Sequence, residues 1–205
     1  CHVGAGWRNC WHCRGLGQWP VGITGFLVRH TAPTQGKFRI GQTRISADQP
    51  ANPSQLRDIG VAHVPEDRHK RGIVLPFSAA ESMILGYSKA NEGDQGWWLS
   101  PVKLDAQCRS LMLDFDIRPP DPRLASANFS GGNQQKIVLA REISTQPKLL
   151  LVGQPTRGVD IGAIEFIHKQ LIALRNAGCA ILLVSVELDE IMSLSDRILV
   201  MNDGQ

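Results

Sequence analysis

Hydrophobic positions along this chain switch between two periods. Residues 59–64 form a short apolar run that stops at Pro65 and predicts a buried strand. Ser78-Ala79-Ala80-Glu81 carries the Ser-x-x-Glu capping pattern, and Met83, Ile84 and Leu85 continue it as a helix. Ser100-Pro101 sets a cap ahead of a proline at the first helical position, with Leu104, Cys108, Leu111 and Met112 recurring on one face. Residues 88–100 read as a loop, and Pro119-Pro120-Asp121-Pro122 ends the helical section. From residue 132 the pattern alternates: a helix to 143, a strand at 149–152, and a helix marked by Ile161, Ile164, Ile167, Leu171 and Leu174 that Gly178 stops. A strand at 180–184, a short helix at 188–194 and a strand at 197–201 follow. Uninterrupted apolar strands between amphipathic helices predict an α/β fold with a parallel sheet covered on both faces.

The 205 residues are 42% hydrophobic and 20% charged, which suits a globular core and excludes disorder. No run approaches the roughly 18 apolar residues of a membrane span, and residues 25–28 are too short for the apolar segment of a signal peptide. There is no internal repeat. Charge is divided unevenly. Residues 1–47 hold six basic residues and no acid, whereas the remainder carries 16 basic and 19 acidic residues. Three of five Cys and three of five Trp fall within the first 19 residues, so two composition regimes share one chain. A start at Cys1 and an end that looks like a strand entering a turn predict a fragment.

The stretch from Asn128 to Lys136 carries the most chemistry. At Ser130-Gly131-Gly132, a Ser-Gly-Gly turn running into a helix aims a hydroxyl and free backbone N–H groups at one point, and the positive end of the helix dipole adds to them. That suits a phosphate, although the same three residues also suit an ordinary helix cap.

The full string Ser130-Gly131-Gly132-Asn133-Gln134-Gln135-Lys136 resembles the signature motif of ATP-binding-cassette (ABC) ATPases, in the form typical of sugar and nucleoside importers. The likeness runs over roughly residues 33–205. Val64-Pro65-Glu66-Asp67-Arg68 with Gly72 resembles that group's Q-loop region, and residues 149–152 followed by Gln154-Pro155-Thr156-Arg157-Gly158-Val159-Asp160 resemble the Walker B strand and D-loop. Residues 195–201 look like the strand after the switch region. The resemblance is closest to the second cassette of tandem two-cassette proteins.

It implies half of a RecA-like P-loop NTPase core carrying an inserted helical subdomain. Residues 25–76 and 131–205 would form the core, residues 77–130 the helical subdomain, and residues 1–24 an anomalous segment. It also implies ATP as cofactor, with Mg²⁺ held mainly by a partner cassette, in tandem or as a separate chain. Membrane permease subunits would be further partners, and the location peripheral, on the cytoplasmic face of the cell membrane.

The departures bear on activity. Hydrolysis in this family needs a carboxylate at the end of the Walker B strand and a Glu that orients water, but those places hold Gly153 and Gln154. A glycine binds no cation, and a neutral amide is no general base. The switch histidine is replaced by Val186, and no Gly-x-x-x-x-Gly-Lys-Ser/Thr occurs anywhere. The chain alone therefore reads as non-hydrolytic. Two alternatives stay open: an active ATPase using Asp160 and Glu187 instead, and a decayed gene product.

The genetic code offers an account of the first 24 residues. Reading the last two bases of each codon with the first of the next, Trp7-Arg8, Trp11-His12 and Trp19-Pro20 each become Gly whatever the codon choice. Permitted choices elsewhere turn residues 7–24 into Gly-Glu-Ile-Val-Gly-Ile-Ala-Gly-Val-x-Gly-Asn-Gly-Gln-Ser-Glu-Leu-Leu, which resembles the strand and phosphate loop of second cassettes. The segment thus reads as out of frame. Loss of that strand predicts poor stability for the chain as written.

Cys10-Trp11-His12-Cys13 lacks the second Cys/His pair of a zinc site, so no metal site is expected. The basic N-terminal part contains no nucleic-acid reading module, so no nucleic-acid partner is expected either. Cys108 and Cys179 fall in helix and strand patterns and read as buried thiols. Trp97-Trp98 reads as packing within the helical section; residues 63–71 read as a charged loop that suits a solvated surface or a site, and the family resemblance implies that it approaches the nucleotide and the membrane-domain contact.

Overall fold

The computed structural model describes residues 2–3, 37–46, 51–87 and 101–200. The expectations for the phosphate loop, for Cys10 and Cys13, for residues 88–100 and for Trp97-Trp98 lie outside the described residues.

β1 (His2–Val3) pairs in parallel with β2 (Lys37–Ile40), which forms an antiparallel hairpin with β3 (Thr43–Ser46). Gly41, at φ +56°, supplies the positive φ that a two-residue hairpin turn needs. α1 (Pro53–Asp58) follows, its start fixed by Asn52. The Asn52 Oδ1 accepts from Gln55 N–H at 2.8 Å, and the Gln55 Oε1 accepts from Asn52 N–H at 2.8 Å. Neither the hairpin nor α1 is anticipated above, although the Asn-Pro-x-Gln pattern is a legible capping signal.

A second, parallel sheet is built from β4 (Val61–Val64), β5 (Leu149–Gly153) and β6 (Ala180–Val184), in that spatial order. Val61 sits opposite Leu149, which sits opposite Ala180. β4 starts two residues later than the apolar run suggested, because Ile59 and Gly60 close α1 in a turn with Gly60 at φ +88°.

Alternate residues of these strands serve two cores. Ala62, Val64, Leu150, Val152, Ile181 and Leu183 belong to one cluster, which also contains the buried faces of the helices. Val61, Leu149 and Leu151 belong to another with Ile40 and Ile45 of the hairpin and Leu56 of α1. With apolar partners on both faces, all five residues of β5 are buried, so its sequence reads as unbroken hydrophobic.

The helices are α2 (Arg68–Arg71), α3 (Ala79–Ile84), α4 (Pro101–Asp114), α5 (Gly131–Ile143), α6 (Ile161–Asn176) and α7 (Leu188–Leu194). α3 starts at the expected capping box: Ser78 Oγ accepts from Glu81 N–H, and the Glu81 carboxylate accepts from Ser78 N–H at 2.8 Å. Cys108 and Met112 of α4 and Met83 of α3 pack into the same cluster as Ile137 and Val138 of α5 and Leu150 of β5, so helical segment and sheet share a core. Burial pushes the thiols of Cys108 and Cys179 up, to about 12 and about 11, so both are inert neutral side chains at physiological pH.

α5 is tied down by polar groups as well. Arg141 donates from Nε to Glu142 Oε1 at 2.8 Å and from Nη1 to the carbonyls of Gly72 and Ser82 at 2.8 and 3.0 Å. Glu142 Oε2 also accepts from His63 N–H and the Tyr87 hydroxyl. α5 is thereby fixed to β4 and to the helical segment.

One expected element is corrected. Residues 195–200 form no strand, and Ile198, Leu199 and Val200 are exposed. A strand persists only with a hydrogen-bonding neighbour, and among the described residues none pairs with this segment. No helix among the described residues is long and apolar enough to cross a membrane.

Candidate functional site

Three loops converge at the C-terminal end of the parallel sheet. The first follows β4 and carries Glu66, Asp67 and Arg68; the second follows β5 and carries Gln154 to Asp160; the third is the turn that opens α5.

In that turn, Ser130 is the N-cap: its Oγ accepts from Asn133 N–H at 3.3 Å and from the Asn133 side-chain amide at 3.0 Å. Gln134 N–H is satisfied by the Ser130 carbonyl. The N–H groups of Gly131 and Gly132, in the first turn of the helix, take no acceptor among the described residues. Ser130 is exposed, Gly131 half-buried and Gly132 buried. The turn therefore combines unpaired donors, a helix dipole and an open approach at Ser130.

Both glycines are required by neighbours in the same chain. A Cβ on Gly131 would lie 2.8 Å from Arg68 Nη2 and 2.9 Å from the Gly158 carbonyl oxygen. One on Gly132 would lie 2.8 Å from Asp160 Oδ2 and 3.1 Å from the Ala163 Cβ. Asn133 accepts from Arg118 N–H at 3.0 Å. Gln134 is buried, with its Oε1 2.8 Å from His69 Nε2 and its Nε2 donating to the Ser126 carbonyl at 3.1 Å. One helical turn on, Lys136 donates to the Asp116 carbonyl at 2.9 Å and lies 4.6 Å from the centre of the Phe166 ring. A cleft of about 410 Å³ flanks the turn, bordered by Gly132, Asn133, Lys136, Asp160 and Phe166.

The loop after β4 is drawn onto the loop after β5. Arg68 Nη1 donates to the Arg157 carbonyl at 2.8 Å and Nη2 to the Gly158 carbonyl at 3.4 Å, while Glu66 Oε1 accepts from Arg157 Nη1 at 3.2 Å. Asp67 caps α2 by accepting from His69 and Lys70 N–H, both at 3.1 Å. Partial desolvation pushes the Asp67 carboxyl up, but these two N–H groups and the Lys70 charge outweigh it and hold it below the usual carboxylate range. Arg157 is a member of the site that the sequence pattern did not single out, because nothing local distinguishes it from a solvated loop arginine.

At the end of β5, Gly153 is buried, and a Cβ there would lie 3.1 Å from Glu66 N. Gln154 is buried with a left-handed backbone, φ +48°, its N–H bonded to the Val184 carbonyl at 2.7 Å. Asp160 is committed to capping α6, its Oδ1 accepting from Ala163 N–H at 2.9 Å. Val186 is exposed on the loop after β6, and Glu187 beside it is exposed too. Glu66, Arg68, Gly131, Gly132, Gly153 and Asp160 are thus brought together, and Val186 lies on the loop after β6, two residues beyond the Val184 that pairs with Gly153. No carboxylate occupies the end of β5 itself, so that position offers no donor for a hydrated divalent cation. Among the described residues no cluster of His, Cys, Asp and Glu could hold a metal.

This arrangement of parallel strands, loops and capped glycine turn has counterparts among known proteins. The ABC transporter profile matches residues 23–157. The chain belongs to the ABC transporter family. Its fold is that of an ABC cassette, an α/β RecA-like core. A nucleotide-free ATP-binding cassette from an ABC transporter superposes with a TM-score of 0.73 at 18% identity, covering 96% of this chain and 78% of that one. A dimeric cassette in a post-hydrolysis state with ADP and Pi superposes with a TM-score of 0.78 at 19% identity, covering 100% and 84%.

Curated relatives are closer in sequence. The nucleoside import ATP-binding protein NupA of Lactococcus lactis is 48% identical over 154 residues, 75% of this chain and 30% of that protein. The guanosine import ATP-binding protein NupO of Bacillus subtilis is 46% identical over 158 residues, 77% and 31%. The glucose import ATP-binding protein TsgD13 of Haloferax volcanii is 42% identical over 157 residues, 76% and 28%. The chain spans less than a third of the length of these relatives.

Proposed function

We propose that this ABC cassette is the signature-donating, non-hydrolytic second cassette of an importer for simple sugars or nucleosides. Ser130, Gly131 and Gly132, flanked by Asn133 and Gln134, close on ATP whose phosphate loop and Mg²⁺ belong to another cassette. The observation that carries this reading is the pair of unsatisfied N–H groups at Gly131 and Gly132, presented beside an exposed Ser130 hydroxyl. Preorganised backbone donors of that kind stabilise developing charge on a phosphate oxygen without a charged side chain.

The other half of the site supports the same division of labour. Gly153 and Gln154 supply neither a carboxylate for a metal ion nor a base, and the Val186 side chain offers no polar atom to a phosphate. Asp160, which an active site of its own would have to recruit, has its Oδ1 engaged in the α6 cap. The nucleoside and sugar importers among the relatives support the solute class, and the family supports permease subunits as membrane partners, with the chain peripheral on the cytoplasmic side. The family match begins at residue 23, which agrees with residues 1–24 being out of frame. The core would then be residues 25–76 with 131–205, and residues 77–130 the helical subdomain.

The test mixes the chain with a hydrolysis-competent importer cassette and measures ATP turnover. Turnover rises with the parent chain, and Ser130→Arg, which fills the approach to the turn, abolishes the rise. Turnover by the chain alone that Gln154→Ala removes would instead establish an active site of its own.

A further inference from the structure

α2 is four residues long and buries none of its side chains, so hydrophobic packing does not set its place. Its polar contacts do, and they reach far along the chain. Arg68 binds the 157–158 carbonyls, Glu66 pairs with Arg157, and His69 meets Gln134. Arg68 is the hub of this set. One edge of its guanidinium holds the loop after β5, and Nη2 fills the space that a side chain at Gly131 would need. Its Nε is buried without an acceptor. Keeping a dry, unpaired N–H is unfavourable, so the arrangement favours the spacing of its neighbours over the stability of its own loop.

We propose that Arg68 is a positioning residue for the Ser130–Gly131–Gly132 turn. Its planar fork binds the Arg157 and Gly158 carbonyls and abuts Gly131 beside the Gly158 oxygen, and that shared contact sets the surface the turn presents to a phosphate. The proposal rests on the reading that this turn meets nucleotide. A guanidinium fits the task because its donors are coplanar and rigid, so one fork fixes two carbonyls at a set spacing while Nη2 abuts Gly131; a lysine ammonium has three donors on a single freely rotating nitrogen and sets no such spacing.

The experiment uses the full chain with the competent cassette and the variants Arg68→Ala and Arg68→Lys. Hydrogen exchange is followed at the amides of residues 128–136 and 155–160, and stimulation of ATP turnover is followed in parallel. Both variants speed exchange in both segments, leave β4, β5 and β6 protected, and lower stimulation about tenfold, the ratio for losing one charge-assisted hydrogen bond. Free guanidinium at millimolar concentration, far below denaturing levels, restores both readouts in Arg68→Ala and neither in Arg68→Lys, whose side chain still fills the slot.

Faster exchange confined to residues 66–72, or an Arg68→Lys chain equal to the parent in both readouts, overturns the proposal. Should Arg68→Ala lose protection throughout, Arg68→Lys decides by the same two measurements. If the exchange pattern is as expected but neither Ser130→Arg nor the Arg68 variants alter stimulation, the clamp stands and the nucleotide reading of the turn falls.

Discussion

Restoring an acid at the end of β5 is the direct challenge to the view that this position has given up metal binding. Gly153→Ala isolates the steric part. The added Cβ would lie 3.1 Å from Glu66 N, 3.3 Å from Glu66 Cβ and 3.4 Å from Glu66 Cα, so the backbone after β4 must give by a few tenths of an ångström. Alanine should gain about 0.5–1 kcal/mol over glycine within a strand. Overpacking a buried site costs about 1–3 kcal/mol, which leaves a net loss of about 0–2.5 kcal/mol, centred on about 1 kcal/mol. For a chain of this size the central value lowers Tm by about 2–4 °C. Gly153→Asp adds a carboxylate beside Glu66, whose Oε2 is already buried without a donor, and Tm falls further. Thermal melts followed by far-UV circular dichroism read both variants, and neither gains ATP turnover when paired with Gln154→Glu. An alanine variant more stable than the parent, or an aspartate variant no worse than alanine, would refute the reasoning.

Two further outcomes follow from the polar contacts. Arg141→Ala leaves Glu142 buried without its cation and costs about 3–5 kcal/mol, read as a lower urea midpoint with an unchanged slope. The Asp67 carboxyl is held below its usual range in the folded chain, so its cap on α2 is complete above the unfolded value near 3.8 and is lost as pH falls through the lower folded value. The His69 and Lys70 amide resonances move in that acidic window. Asp67→Asn, an equally good and uncharged cap, leaves them fixed.

The legible parts of the fold were those that short-range rules control. The capping box at Ser78, the Ser130 cap and the stop at Gly178 depend on neighbours three or four residues away, and each lies where the pattern put it. The apolar run at 197–200 misled because a strand is a relation between two segments and its partner is not written beside it. The hairpin at 37–46 alternates exposed Arg39 and Arg44 with buried Ile40 and Ile45, but each strand is only four residues long, too short for the period to stand out. For the site, the glycine turn was legible as a helix cap, but its dependence on Arg68 and Gly158 was not. Those contacts join residues dozens of positions apart and leave no periodic trace. Arg157 escaped notice for the same reason.

The division between the two halves of the site is what the proposed reading explains best. Gly153, Gln154 and Val186 lack the groups that hydrolysis uses, yet their positions are structurally settled: Gly153 is packed against Glu66, Gln154 is bonded to β6, and Val186 lies on an exposed loop. The glycine turn shows the opposite balance. The side groups around it are engaged with one another: Ser130 with Asn133, Asn133 with Arg118, Gln134 with His69 and Ser126, and Arg68 with the loop after β5. The two backbone donors of Gly131 and Gly132 are left over. Undirected decay would have no reason to remove the catalytic groups from one half while leaving the turn and its supports in place. A cassette that lends its turn to a neighbour's nucleotide needs that asymmetry, since only the turn has to keep its shape.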